Sequence, residues 1–224
     1  MRDDLSGRSV LVFGAGGALG AAVVQACVAA GAGVTGADKV APPASRRLGG
    51  VGYEAVDVLN DLDVGALLDA VPPPWAVLNL VGGYAPARPL SELDPAELTG
   101  QLELNMVTAA LITKHALRVM QQAGEGRIVH TASRAGIATK GTGFAYSVSK
   151  AGVLHLVAMA ADEVRGSGVT VNCVVPSIID TPANRAAQPN ANYDKWPKPE
   201  DIAKSYVYLA LPGSHLLNGA SIPV

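Results

Sequence analysis

Charge is scarce in this chain of 224 residues: Asp, Glu, Lys and Arg make up only 16%, and the formal net charge is -2. A nearly neutral balance offers no electrostatic attraction to nucleic acid or anionic lipid, so neither is expected as a partner. Cysteine is scarcer still. Cys27 and Cys173 stand far apart, each in an apolar stretch and without metal-ligand spacing. They read as two reduced core thiols of a cytosolic protein, with no disulfide and no metal site. No internal repeat, low-complexity tract or linker divides the chain. An uninterrupted apolar run of membrane-spanning length is also missing. Residues 9–37 carry no charge, but Gly14, Gly16, Gly17, Gly20, Gly31, Gly33 and Gly36 break them up, so no membrane segment is expected. The length suits one α/β domain with a well-buried core. A hydrophobic share of 49% points to extensive burial, a subunit interface included.

What is present is alternation. Strand-like runs at 10–13, 34–37, 53–56, 76–81, 127–131, 169–175 and 221–224 alternate with helical patterns at 18–30, 61–70, 95–122, 146–165 and 200–210. In the first helix Leu19, Val23, Ala26, Cys27 and Ala30 share a face, and Gly31 supplies a left-handed stop. Pro72, Pro73 and Pro74 close the second. The unbroken apolar run 76–81 is that of a central parallel strand covered on both faces. With right-handed crossovers this pattern predicts one α/β domain, a Rossmann-type doubly wound parallel sheet with helices on both faces.

Gly14-Ala15-Gly16-Gly17-Ala18-Leu19-Gly20 lies at the first strand-to-helix junction. A turn of this kind lets backbone N–H groups approach a pyrophosphate, and the helix end behind it carries about half a positive charge. Asp38 ends the second strand, where a carboxylate accepts hydrogen bonds from both hydroxyls of an adenosine ribose. Asp57 ends the third strand; it either meets the adenine amino group or caps the turn before Asn60 and Asp61.

Tyr146 and Lys150 are four residues apart on an expected helix, hence on one face. A free tyrosine titrates near pH ~10 and is a poor base at neutral pH; an ammonium nearby favours the phenolate. Ser133 follows the strand at 127–131, whose carboxyl end borders the ligand crevice of an open parallel sheet. Its hydroxyl is placed to hold a substrate carbonyl oxygen beside the tyrosine. Asn105 interrupts the apolar pattern of the long helix at Leu104-Asn105-Met106-Val107, an awkward core residue unless its amide or a loosened backbone is used.

Taken together, these residues resemble the short-chain dehydrogenase/reductase family over nearly the whole chain. The family's nucleotide turn has glycines at the places of Gly14, Ala18 and Gly20. Its motif after the fourth strand matches Asn79-Leu80-Val81-Gly82, its serine Ser133, its tyrosine and lysine Tyr146 and Lys150, and its asparagine Asn105. The stretch Pro176-Ser177-Ile178-Ile179-Asp180-Thr181 resembles the one that contacts the nicotinamide amide, through the Ile179 backbone and the Thr181 hydroxyl. The expected cofactor contacts are therefore Gly14, Gly16, Gly17, Ala18, Leu19, Gly20, Asp38, Asp57, Val58, Asn79, Val81, Gly82, Tyr146, Lys150, Pro176, Ile179 and Thr181. The chain departs from the family pattern at Ala18, at Ser177 where glycine is usual, and at Val224, beyond which members often continue into a glycine-rich tail.

The resemblance implies that Tyr146 exchanges the proton, that Lys150 lowers its pKa and bonds the nicotinamide ribose, that Ser133 orients the carbonyl, and that Asn105 holds a water linking Lys150 to solvent. The expected substrate is a small ketone or secondary alcohol. Residues 181–196 are expected to form a substrate flap, with Arg185 and Trp196 as candidate contacts. Local similarity to dihydropteridine reductases in Gly17-Ala18-Leu19-Gly20 and in the segment 180–185 keeps a pteridine as an alternative, and a catalytically idle NAD-binding redox sensor is another. Because Asp38 repels a 2′-phosphate, NAD(H) is expected over NADP(H), with the Lys39 charge directed to solvent. Ala109, Ala110, Ile112, Leu154, Val157 and Ala161 are expected to build a homodimer or homotetramer interface.

Overall fold

The computed structural model describes residues 4–84, 88–138 and 143–224. Strands β1 (Ser9–Phe13), β2 (Gly33–Asp38), β3 (Gly52–Ala55), β4 (Ala76–Asn79), β5 (Gly126–Thr131), β6 (Val169–Val175) and β7 (Ser221–Pro223) form one sheet. Its order is β3-β2-β1-β4-β5-β6-β7, with every pairing parallel. The order reverses between β1 and β4, and the crevice at their carboxyl ends is where such sheets bind ligands.

Strand residues alternate between the two faces. Leu11, Phe13, Val77, Ile128 and Val171 point to one side, where Val64 and Leu68 of α2 (Asp61–Ala70), Ile112 of α4 (Thr108–Ala123) and Val157 of α5 (Phe144–Glu163) close over them. Val10, Val12, Leu78, Val129 and Val174 point to the other, under Val23 and Cys27 of α1 (Ala18–Ala29) and Ile202 and Tyr206 of α7 (Pro199–Ala210). Both thiols are buried and unlinked, and burial pushes Cys27 up to about 12. Helix α5 is long and apolar enough to cross a membrane, but its Ala145, Val153, Val157, Ala160 and Ala161 are buried within the fold.

The expected boundaries at 61–70 and 169–175 hold to the residue, and most others shift by one or two. Three expectations need correction. The helix expected at 95–122 is three pieces: α3 (Pro95–Leu102), a π-helical turn (Glu103–Val107) and α4. Asn105 sits in that turn with its side chain turned into the protein. The strand expected to run to Val81 ends at Asn79, because the Asn79 Oδ1 accepts the Val81 N–H at 3.0 Å and bends the chain. In α1 the expected face of Leu19, Val23, Ala26, Cys27 and Ala30 does pack on the core, and Gly20, Ala22 and Val24 are buried too, since this helix packs against α7 as well as the sheet. Ala109, Ile112, Val157 and Ala161 lie in the core of their own chain instead of on a surface. The large apolar side chains that these helices and the turn expose are Val107, Phe144, Val148 and Met159.

Candidate active site

The glycine turn is tight for reasons visible atom by atom. Gly14 has φ of +79°, and a Cβ there would lie 2.9 Å from the Leu80 carbonyl carbon. A Cβ on Gly20 would fall 2.0 Å from the Gly14 oxygen, so α1 can start this close to β1 only without a side chain. Gly17, the N-cap, supplies no side-chain hydrogen bond to the first turn, which leaves N–H groups for an anion. Ala18, the first residue of α1, is exposed. This cradle fits a dinucleotide pyrophosphate.

Asp38 is tied into the turn. One carboxylate oxygen accepts the Gly16 N–H at 2.9 Å and the other accepts the Lys39 N–H at 2.7 Å. Lys39 is largely exposed, as expected, and its Nζ pairs at the surface with Asp57 at 3.0 Å. Asp57 also accepts the Leu59 N–H, so it acts as a turn cap and counter-ion, and both contacts hold its carboxyl below the usual range. Val58 beside it is buried.

Around the catalytic candidates the structure builds a connected polar cluster. Asn105 donates to the carbonyls of Gly83 and Gln101 and to Ser149 Oγ, and accepts the Gly83 N–H at 3.1 Å. Gly82 has to be glycine: a Cβ there would lie 2.6 Å from Asn105 Oδ1 and 2.9 Å from Lys150 Nζ. Lys150 is buried and donates to the Thr131 carbonyl at 2.9 Å. Burial lowers its pKa to about 8. Ser133 caps a short 3-10 turn by accepting the Ala135 N–H. Gly136 ends that turn, and its bare Cα lets the Ser133 loop touch the α5 backbone, where a Cβ would meet Lys150 and Ala151 at 2.8 Å.

Tyr146 is half-buried next to Ser133. Burial raises its pKa, the Ser133 hydroxyl partly offsets this, and Tyr84 adds to the rise. The lowering expected from Lys150 is therefore not present here. The ammonium is turned to Thr131 and lies 5.9 Å from the Tyr146 ring centroid.

A buried His130 supports this cluster from below. Its Nδ1 faces the Asn79 amide nitrogen at 3.1 Å, and its Nε2 faces Thr113 Oγ1 at 2.8 Å. Asn79 Oδ1 is committed to Val81, so its NH2 donates to Nδ1 and the proton of His130 sits on Nε2. Burial lowers His130 to about 4.

Thr181 caps α6 (Pro182–Ala187), accepting the Asn184 N–H and keeping its own hydroxyl proton to donate. The Ile179 carbonyl is bonded by the Asn184 amide at 2.8 Å, and the Ser177 N–H is committed to Val224. Arg185, half exposed, is paired within its own neighbourhood. It forms a two-pronged pair with Asp180 at 2.6 and 2.8 Å and lies over the Tyr193 ring, which in turn packs on Trp196 at 5.0 Å. The segment 181–196 is thus packed on itself through an aromatic pair.

Sequence reasoning missed Tyr84, whose ring stands edge-on to that of Tyr146. Its signal was its place directly after Gly82-Gly83. It also missed Gly136, the buried Ser149 and the Asn79–His130 pair. A separate surface cavity of about 630 Å³, lined by Asp162, Arg165, Thr170 and His215 among others, opens at the amino end of β6 and shares no residue with this site.

The Enoyl-(Acyl carrier protein) reductase family model matches residues 14–224. The cis-4-hydroxycyclohexanecarboxylate dehydrogenase of Sinomonas cyclohexanicum is 32% identical, covering 100% of this chain and 97% of that protein. Among solved structures, a short-chain type dehydrogenase/reductase from Mycobacterium ulcerans superposes with a TM-score of 0.90 at 27% identity, over 99% of this chain and 89% of that one. A chain described as ribose-5-phosphate isomerase from Brucella melitensis 16M gives 0.92 at 27% identity, over 100% and 93%.

Proposed function

Because this chain belongs to the short-chain dehydrogenase/reductase family, we propose that it transfers a hydride between NAD(H) and a small ketone or secondary alcohol. The observation that carries the reading is the half-buried Tyr146 phenol beside Ser133, one helical turn from buried Lys150, at the carboxyl end of β5. Fold alone does not choose a reaction. A ketose–aldose isomerisation moves protons alone and requires no pyrophosphate cradle beside its acid–base group. The reaction named for the Sinomonas protein, dehydrogenation of a hydroxycyclohexanecarboxylate, is of the class proposed.

The glycine turn from Gly14 to Gly20 would hold the pyrophosphate and Asp38 the adenosine ribose. Val58, Val81 and Gly82 would line the cofactor, and Pro176, Ile179 and Thr181 would hold the carboxamide. Once bound, the nicotinamide supplies or accepts the hydride. Ser133 donates a hydrogen bond to the carbonyl oxygen and orients it. Tyr146 gives its proton to the same oxygen in reduction and takes it back in oxidation. Lys150, buried and cationic at neutral pH, would bond the nicotinamide ribose, and its charge stabilises the phenolate as the proton leaves. Asn105 fixes the Gly83 peptide and, through a water, links Lys150 to solvent. The unlinked thiols suit a cytoplasmic protein, and the apolar residues that α5 exposes suit a homo-oligomer.

Following NADH absorbance with a panel of small ketones tests the reading. Turnover lost in Tyr146→Phe is the expected result. Cofactor binding with no turnover of any ketone or alcohol would favour a redox sensor instead.

A further inference from the structure

Asn105 grips the Gly83 peptide by its N–H and its C=O. That double hold fixes the direction in which the chain leaves β4. The next side chain, Tyr84, lies edge-on against Tyr146, with ring centroids 5.2 Å apart and planes at 82°. Ring quadrupoles favour this T-shaped arrangement. Yet Tyr84 remains 63% exposed, so most of its apolar surface is uncovered while its edge is held in place. An ordered, uncovered ring beside a proton-donating phenol is placed to meet whatever carbon skeleton is attached to the reacting carbon. Of the two cations in the segment expected to cover the pocket, Arg185 is paired with Asp180 and Lys195 is exposed.

We infer that Tyr84 is a specificity-determining residue: its free ring surface forms one wall of the substrate pocket and selects substrates with an apolar skeleton next to the carbonyl. The identity of the reacting group rests on the oxidoreductase reading above; the apolar contact with Tyr84 does not.

The experiment compares wild type, Tyr84→Phe and Tyr84→Ala with NADH and two uncharged ketones, apolar cyclohexanone and polar dihydroxyacetone. In Tyr84→Ala, kcat/KM for cyclohexanone should fall about tenfold or more relative to dihydroxyacetone, chiefly through KM, as expected when an apolar contact is removed. Tyr84→Phe, which keeps the ring, should preserve the wild-type ratio. A parallel arm titrates cyclohexanone into the NADH-loaded proteins and follows its affinity by ligand-observed NMR, without requiring turnover. There too Tyr84→Ala should weaken binding about tenfold, and Tyr84→Phe should not. Equal losses for both ketones, or no loss of cyclohexanone affinity, would overturn the inference. Should wild type reduce neither ketone, the oxidoreductase reading loses its support while the binding arm still decides the role of Tyr84.

Discussion

Lys150 directs its ammonium at the carbonyl of Thr131, 2.9 Å away, and not at the phenol of Tyr146. The same Thr131 uses its hydroxyl to contact Tyr206 and the Asn79 carbonyl. The end of β5 is therefore a polar knot in which the charge of Lys150 is held by a neutral acceptor. Burial depresses its pKa to about 8, below the usual value for lysine.

The sign of this shift sets the first prediction. A lysine whose folded pKa is depressed destabilises the fold progressively as pH falls from the unfolded value of 10.5 through about 8. Near pH 7 the penalty is fully present and on the order of 3 kcal/mol. Lys150→Met, which keeps the stem and removes the charge, should raise Tm at pH 7 in calorimetry. The same variant should lose turnover and bind NADH more weakly. Unchanged cofactor affinity would refute the ribose contact.

Tyr146→Phe keeps the ring and its contact with Tyr84 but deletes the proton. Turnover should drop by at least about a hundredfold with NADH binding retained. Stopped-flow fluorescence for binding and absorbance for turnover separate the two. Near-normal turnover would exclude this phenol as the acid.

Below neutral pH His130 contributes to the pH dependence of stability. Its folded pKa, about 4, lies below the ordinary 6.5, because the ring is buried neutral between Asn79 and Thr113. The stability that comes from keeping it neutral is complete above 6.5 and is lost as pH falls through about 4. The loss is on the order of 3 kcal/mol. Urea unfolding of wild type and His130→Gln between pH 7 and 4 should show a shallower slope in the variant. Parallel curves would mean that His130 does not titrate on unfolding.

Cofactor choice rests on three charges. Asp38 would face a 2′-phosphate with like charge, while Lys39, the nearby cation, is drawn off by Asp57 at 3.0 Å. NAD(H) should bind at least about tenfold tighter than NADP(H), equivalent to about 1.4 kcal/mol. Asp38→Ala should shrink that ratio by weakening NAD(H). Asp57→Asn should shrink it from the other side, by releasing Lys39 and strengthening NADP(H). Titrating both reduced cofactors by fluorescence decides it; a wild-type preference for NADPH would contradict the assignment.

Assembly is readable in what α5 leaves uncovered. Met159 is 62% exposed and Val148 is exposed on the same helix, though most of the helix's other large apolar side chains are at least partly covered. A homodimer through this face is expected, and Met159→Lys should shift sedimentation towards monomer without changing Tm by more than about 0.5 kcal/mol equivalent. A wild type that sediments only as monomer would remove the idea.

Much of this architecture could be read from the residues before any coordinates. The alternation of runs such as 76–81 and 169–175 with amphipathic helices determined the sheet, and glycine spacing located the turn. Those signals are local, and local physics produced them. What escaped was decided by contacts between distant segments. Nothing near Lys39 in sequence shows that Asp57 claims it, and Arg185 looks free until Asp180 is placed beside it. Ala109, Ile112, Val157 and Ala161 were assigned to a surface because periodicity shows that a helix has an apolar face without showing what covers it. Tyr84 had a neighbour, Tyr146, that only the fold brings within reach.

The π turn at Glu103–Val107 has a consequence for how the segment 95–123 is phased. A turn of this kind takes in one more residue than an α-helical turn, so everything after it is rotated by about 100° relative to everything before. Helix α3 therefore packs on α5, while α4, a continuation of the same rod, packs on α2 and β5. Deleting one residue between Glu103 and Val107 would restore an unbroken helix and bring the two halves back into a single phase. One of the two packed faces would then be swung out of its place, so the extra residue works as a phase shifter that lets one helix serve two layers.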